Sequence, residues 1–237
     1  MVREVWLTPG NSILQDDDYF KLSQDSVLLA AFAKPKKDWR GLDLCCGVGP
    51  LGALMRLKYG ACCDGLELQT GAADLARENF RRVGMPEDCS VWNLDLRQLP
   101  AALSDRYQFC ICNPPYYDTD RGKVSPKQSL ALARSEDGCN IFDVCKAASK
   151  LLRTGSPLYI CYKPERAAAL LAACRENGLE PKRLRLVHHR ADKPAVLVLL
   201  EARKGCGEWL EIEPPLVVED PSGAKTQEWK KIYGIEE

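Results

Sequence analysis

From about residue 40, short apolar runs alternate with longer stretches whose apolar residues recur at helical spacing. The runs at 41–46, 61–67, 90–94, 107–112, 158–162, 184–188 and 195–202 read as strands. The intervening stretches predict helices: 50–59, stopped by Gly60; one starting at a Thr70 cap, with Ala72, Ala76, Phe80 and Val83 on one face and Gly84 at its end; and 141–153, capped by Asn140. A fourth has Pro164 in its first turn, a stripe of Ala167, Leu170, Leu171 and Cys174, and Gly178 as its stop. Strand–turn–helix alternation of this kind predicts an α/β fold, a parallel sheet with helices on both faces. The polar stretch 118–138 is too long for an idle connection and reads as a mobile substrate loop. With no repeats and no linker, residues 1–237 read as a single domain: an N-terminal extension (1–39), the α/β core (40–204) and a C-terminal tail (205–237).

A chain of 237 residues buries roughly 70–75% of its unfolded surface, so the core needs no disulfide support. Lys plus Arg and Asp plus Glu both number 33, so any nucleic-acid footprint has to come from local clustering. The N-terminus lacks an apolar h-region, and runs such as 195–200 fall far short of the ~18 residues of a membrane span. A soluble, cytoplasmic protein is expected. The twelve cysteines contain no C-x-x-C, and no metal is expected from them. Cys45, Cys110, Cys112 and Cys161 fall within apolar runs, as small buried hydrophobes of a reducing compartment do.

Candidate chemistry gathers where strands end. Directly after the first strand stands Gly47-Val-Gly49-Pro-Leu-Gly52, a G-x-G-x-x-G, and Glu67 ends the second strand, where a carboxylate can accept both hydrogen bonds of a ribose diol. This pair fits a dinucleotide or S-adenosylmethionine alike. Asp43, inside the first strand, favours the second, because its charge repels a pyrophosphate and attracts the ammonium group of a methionine; tying the loop is its alternative role. Asp95 ends the third strand, placed to accept from an adenine amino group unless it is a solvated turn residue. Asn113-Pro114-Pro115-Tyr116 follows the fourth strand. Exocyclic amines on aromatic rings are poor nucleophiles because the lone pair is delocalised. The Asn113 oxygen and the Pro114 carbonyl can each accept one N–H, draw the nitrogen toward tetrahedral geometry and stabilise its developing charge. The second proline, Pro115, helps hold that carbonyl rigidly, and Tyr116 offers a face for stacking the base.

These residues resemble the class I S-adenosylmethionine-dependent methyltransferases that modify amino groups through an NPPY motif. The likeness extends over FKLSQDSVLLAAFA (20–33), LDLCCGVG, GLELQ, NPPYY, ARSE (133–136), LVHHRADKPA and the ending PPLVVEDPSGAKTQEWKKIYG, which together look like the bacterial valine-tRNA adenine-N6 methyltransferases. The resemblance implies a Rossmann-like, seven-stranded, mostly parallel sheet with its last strand antiparallel. It also implies S-adenosyl-L-methionine as cofactor, tRNA as partner, and methylation of the adenine immediately 3′ of the anticodon. Cofactor contacts are expected from Asp43, Cys45, Gly47, Gly49, Glu67, Leu68, Asp95, Leu96 and Asn113. Substrate contacts are expected from Tyr116, Tyr117, Arg134, Lys163, His188 and Arg190. The chain departs from the pattern at Cys45, where many class I methyltransferases carry the first glycine of the loop, and at Ser135 and His189, where His and Pro are expected.

Basic residues cluster at Lys34, Lys36 and Lys37, at Lys163 and Arg166, and from Lys182, Arg183 and Arg185 through His188, His189 and Arg190. They serve RNA if they share one side of the pocket, and are solvated surface otherwise. The same acceptor chemistry also suits a protein glutamine amide, guanine N2 or DNA adenine. An NAD-binding protein and an idle RNA-binding module are the readings from other classes.

Overall fold

A computed structural model of the chain describes residues 1–19, 22–114 and 139–235. An N-terminal hairpin of β1 (Val2–Thr8) and β2 (Asn11–Asp16) is followed by helix α1 (Gln24–Ala33). Then come β3 (Arg40–Leu44), α2 (Pro50–Tyr59), β4 (Cys62–Glu67), α3 (Thr70–Arg82), β5 (Val91–Asn93) and β6 (Phe109–Cys112). The second half runs α4 (Ile141–Leu151), β7 (Pro157–Tyr162), α5 (Ala167–Glu176), β8 (Leu179–Arg190), β9 (Ala195–Lys204), β10 (Glu211–Ile212), β11 (Leu216–Glu219) and α6 (Gln227–Tyr233).

The sheet order is β10-β8-β9-β7-β6-β3-β4-β5, with β11 also on β8. Every pairing is parallel except those of β9, which runs antiparallel between β7 and β8. The seven expected strands are therefore present with the last one reversed, and β10 and β11 widen the sheet at its outer edge. The carboxyl ends of the parallel strands share one edge, and strand order reverses between β3 and β6, where open α/β sheets bind ligands.

Period-two alternation fills both faces. Phe109 and Ile111 of β6, Tyr159 and Cys161 of β7, and Leu197 and Leu199 of β9 pack with α1, α2 and α3. Leu42 and Leu44, Cys110 and Cys112, Leu158 and Ile160, and Val198 and Leu200 pack with α4 and α5 on the other face. Gly41 is required here, since a Cβ on it would lie 2.1 Å from Cζ of Phe109, whose ring crosses β3.

Two local expectations need correcting. The first strand ends at Leu44, so Cys45 and Cys46 belong to the following loop. Thr70 is the first residue of α3 and does not cap it; its hydroxyl is directed instead to the Asn93 side-chain oxygen at 2.9 Å. The C-terminal tail packs on the core: Leu216 and Val218 are buried against the α1 face, and Lys58 of α2 donates to the Ile232 carbonyl at 2.7 Å. Among the described residues, no helix is long and apolar enough to cross a membrane.

Candidate active site

The turn after β3 is shaped by backbone torsions that few side chains accept. Cys45, Gly47 and Gly49 have φ of 57°, 54° and 82°. Gly49 is the N-cap of α2, and a Cβ there would approach Phe80 to 2.8 Å, so only glycine satisfies both torsion and space. Cys45 adopts the same left-handed region as a non-glycine residue, which accounts for glycine being common at this place in related loops and marks local strain here. Asn79 of α3, fully buried, fastens the turn. Its Nδ2 donates to the carbonyls of Val48 and Leu14, both at 2.8 Å, and its Oδ1 accepts the Leu14 N–H at 2.7 Å. The N-terminal hairpin is thereby joined to the glycine turn.

Two buried carboxylates flank this turn. Glu67 accepts the Gly47 N–H on Oε2 and the Gln69 N–H on Oε1, each at 2.9 Å, which leaves each oxygen a further lone pair. Burial raises its pKa, and the N–H groups of Gln69 and Gly47 oppose that rise. Asp43 accepts the Gly52 N–H on Oδ2 at 3.0 Å, so it does tie the start of α2 to β3, while its Oδ1 is buried without a partner. Leu68, next along, is 54% exposed at the strand end. An orphaned buried carboxylate oxygen, a glutamate with spare acceptor sites and an exposed apolar side chain beside a glycine turn together fit S-adenosylmethionine, with its ammonium, ribose diol and adenine.

Burial pushes the Asp43 carboxyl up to about 8; the Gly52 N–H opposes the shift and Glu67 adds to it. A carboxyl raised on folding stabilises the fold at low pH, and that contribution is lost as pH rises through the folded value. The ligand-free protein should therefore lose stability relative to Asp43→Asn between pH 5 and 8, by on the order of a few kcal/mol. Denaturant unfolding of both proteins across that range measures it, and parallel pH profiles would show that Asp43 is ionised throughout.

Asp95 lies at the same edge, where its carboxylate is engaged by Arg97. It caps the 3₁₀ turn Leu96–Gln98, accepts the Arg97 N–H at 2.9 Å, and pairs through both oxygens with the Arg97 guanidinium at 2.7–3.0 Å. The Arg97 hydrogen bonds hold its pKa low. The Leu96 side chain is turned into the core at 6% exposure.

Asn113 follows β6 and is 5% exposed. Its Nδ2 donates to Ser26 Oγ at 3.1 Å and to Ser23 Oγ at 3.4 Å, and its Oδ1 accepts from Cys161 Sγ at 3.1 Å. Pro115, Tyr116, Tyr117, Arg134, Ser135 and the stretch 118–138 lie outside the described residues. Sequence reasoning missed Ser23, Ser26, Cys161 and Asn79 as parts of the site. Ser23 carried a legible signal as the N-cap of α1, accepting the Ser26 N–H.

The basic clusters do not share one side. Lys163 follows β7 and Arg190 ends β8, so Lys163, Arg166, His188, Arg190 and Lys193 gather at the carboxyl edge with Asn113. Lys34, Lys36 and Lys37 precede β3, and Lys182 and Arg183 lie in the first half of β8, toward the opposite edge. Arg183 is consumed internally: it pairs with Glu201 and Glu213 at 3.1 Å, donates to the Phe32 carbonyl at 2.8 Å and stacks on the Phe32 ring at 4.1 Å. Lys182 donates to the Gly207 carbonyl, and Arg185 is bidentate on Glu228. At the carboxyl edge, His188 Nδ1 lies 2.7 Å from the Lys193 carbonyl, His189 3.2 Å from Glu219 and Arg190 3.3 Å from Asp192.

Residues 21–134 match the family model of the methyltransferase small domain. The chain is 29% identical over 189 residues to a tRNA1(Val) (adenine(37)-N6)-methyltransferase of Edwardsiella ictaluri, covering 79% of this chain and 76% of that protein. It is 26% identical over 190 residues to a protein of the same name from Parabacteroides distasonis, covering 80% and 79%. Its fold is similar to that of a predicted O-methyltransferase from Agrobacterium tumefaciens, with a TM-score of 0.70 at 22% identity over 89% of this chain and 96% of that one. The chain therefore has a Rossmann-like α/β fold similar to that of solved methyltransferases and is an S-adenosylmethionine-dependent methyltransferase, with residues 21–134 similar to the methyltransferase small domain.

Proposed function

We propose that the enzyme methylates the N6 amine of an adenine in tRNA, in the cytoplasm, the adenine beside the anticodon of a valine tRNA being the expected acceptor. The observation that carries this reading is Asn113: a buried amide at the switch point of the sheet, with both N–H groups directed to serine oxygens and its own oxygen retaining a lone pair. The names of the two relatives support adenine N6 as the amine and tRNA as its carrier.

S-adenosylmethionine, when bound, supplies an electrophilic methyl group on a sulfonium. The protein's own residues do the rest. Glu67 accepts the ribose hydroxyls, Asp43 favours the ammonium end, and the Gly47–Gly49 turn lets the backbone come close. Asn113 Oδ1 and the Pro114 carbonyl would accept the two N–H bonds of the amine, so its lone pair is released from the ring to form the new N–C bond as the methyl–sulfur bond breaks, and one N–H proton then passes to solvent. Tyr116 stacks the base. Purified enzyme, labelled S-adenosylmethionine and a valine tRNA transcript, followed by nucleoside mass spectrometry, test the reading. N6-methyladenosine at the anticodon-adjacent adenine is the expected product, and methylation of another amine, or of none, would overturn it.

RNA binding is assigned to the carboxyl-edge cations. Replacing Lys163 and Arg190 together by Ala should lower the slope of log affinity against log salt by about 1 to 2, each phosphate contact being worth a little under one. Replacing Lys182 should leave it unchanged. Filter-binding titrations over a series of salt concentrations distinguish the two clusters, and equal slopes would return both to solvated surface.

A further inference from the structure

The amide of Asn113 has two unlike ends, and the site's chemistry depends on which of them meets the amine. The amine brings N–H groups, so an oxygen must face it; an amide turned by half a rotation would set donor against donor. Three side chains bear on that choice. Ser26, on the first turn of α1 and 1% exposed, places Oγ 3.1 Å from Nδ2. Ser23 places its hydroxyl 3.4 Å from the same nitrogen while serving as the N-cap of α1. Cys161, fully buried on β7, directs its thiol to Oδ1 at 3.1 Å.

This arrangement is selective for one orientation. Both N–H groups have oxygen acceptors here; in the half-turned amide the serine hydroxyls could still donate to the oxygen, but one N–H would be left to sulfur, a weak acceptor, and the other to the N–H groups of the acceptor amine. A thiol donor is also weak, so it steadies Oδ1 while leaving a lone pair for a stronger partner. The serines come from a helix 87 and 90 residues earlier in the chain, so the start of α1 is built into the acceptor site across the sheet face. A buried serine that only filled space against the core would need no acceptor geometry toward an amide. A buried polar group without a partner is destabilising, and here each polar atom has one.

We infer that Ser26, with Ser23 and Cys161, is a positioning residue for methyl transfer: it holds the Asn113 amide with its oxygen toward the acceptor amine. This rests on the reading of Asn113 as that amine's acceptor. Ser26→Ala removes the nearer oxygen and frees the amide to turn. At saturating S-adenosylmethionine and tRNA transcript, the transfer rate of Ser26→Ala is expected to fall about tenfold, while KM for tRNA and affinity for S-adenosylhomocysteine stay near wild type and the melting temperature falls only by the few degrees that one weakened buried hydrogen bond costs. In an Asn113→Ala background the same substitution should cost nothing further, because there is no amide left to orient. A rate equal to wild type for Ser26→Ala, with Asn113→Ala slow, would overturn the inference and leave the role of Asn113 standing. Wild-type rates for both would overturn the role of Asn113 itself. A fall in rate matched by losses of cofactor affinity and of melting temperature beyond those few degrees, or one that persists in the Asn113→Ala background, would make Ser26 a structural residue only.

Discussion

Asn113→Ala should slow methyl transfer by on the order of 10²-fold or more, a transition-state loss of ~3 kcal/mol, with cofactor and tRNA still bound nearly normally. The reason lies in when the interaction is strong. A ground-state adenine amine is planar and nearly neutral, and a hydrogen bond from it to Oδ1 is worth little more than one to water. As the nitrogen pyramidalises and gains positive charge, the same bond becomes charge-assisted. An interaction that strengthens only along the reaction path appears in kcat and not in KM. The surroundings of Asn113 also bear on the substitution. Truncation leaves Ser26, Ser23 and Cys161 facing a small cavity, so some stability is lost as well, and melting temperature has to be measured beside the rate. Asn113→Asp keeps an acceptor oxygen but loses the two N–H donors. Partial activity is expected of it, at the cost of a buried carboxylate that depends on the serine hydroxyls to donate. Single-turnover transfer to a tRNA transcript measures all three proteins, and a wild-type rate for Asn113→Ala would end the proposed chemistry.

Strands and helices were legible because their burial follows short periods. Cys110 and Cys112 facing one way and Phe109 and Ile111 the other is visible in four consecutive letters. Asn79 was partly legible: it falls on the α3 face of Ala72, Ala76 and Phe80, where a polar residue needs buried partners. Its partners at Leu14 and Val48 are 65 and 31 residues away, and no local pattern specifies them. The cations of β8 were misleading for the same reason. Their neutralising acids, Glu201, Glu213 and Glu228, are supplied by later strands and the C-terminal segment, so a run that reads as a basic patch is internally paired once the sheet forms. The tail was legible only as an extension of the domain, because Leu216-Val217-Val218 after two prolines is an apolar run too short to specify a strand or its pairing with β8. Glu67 was legible as a carboxylate at a strand end, but its two bonds to backbone were not.

Those backbone bonds enlarge the effect expected of Glu67→Ala. A hydrogen bond to a charged group is worth about 1.5–3 kcal/mol, and a ribose diol offers two. Removing the carboxylate also leaves the N–H groups of Gly47 and Gln69 without the acceptor that fixes them, one in the glycine turn and one beside exposed Leu68. Both the contact and the shape of the turn are lost together, so affinity for S-adenosylhomocysteine should fall by ~3 kcal/mol, on the order of 10²-fold. Glu67→Gln should fall between, because it keeps one acceptor oxygen and sets an NH2 against a backbone N–H at the other. Unlike Asn113→Ala, both variants should recover much of the transfer rate when cofactor is raised to saturation, since Glu67 stands apart from the reacting amine. Calorimetric titration with S-adenosylhomocysteine, paired with rates at increasing S-adenosylmethionine, separates the two behaviours. An unchanged affinity in Glu67→Ala would remove this residue from the ribose role. A rate that stays low at saturation would mean instead that the glycine turn and the Asn113 site are coupled, so that distorting one displaces the other.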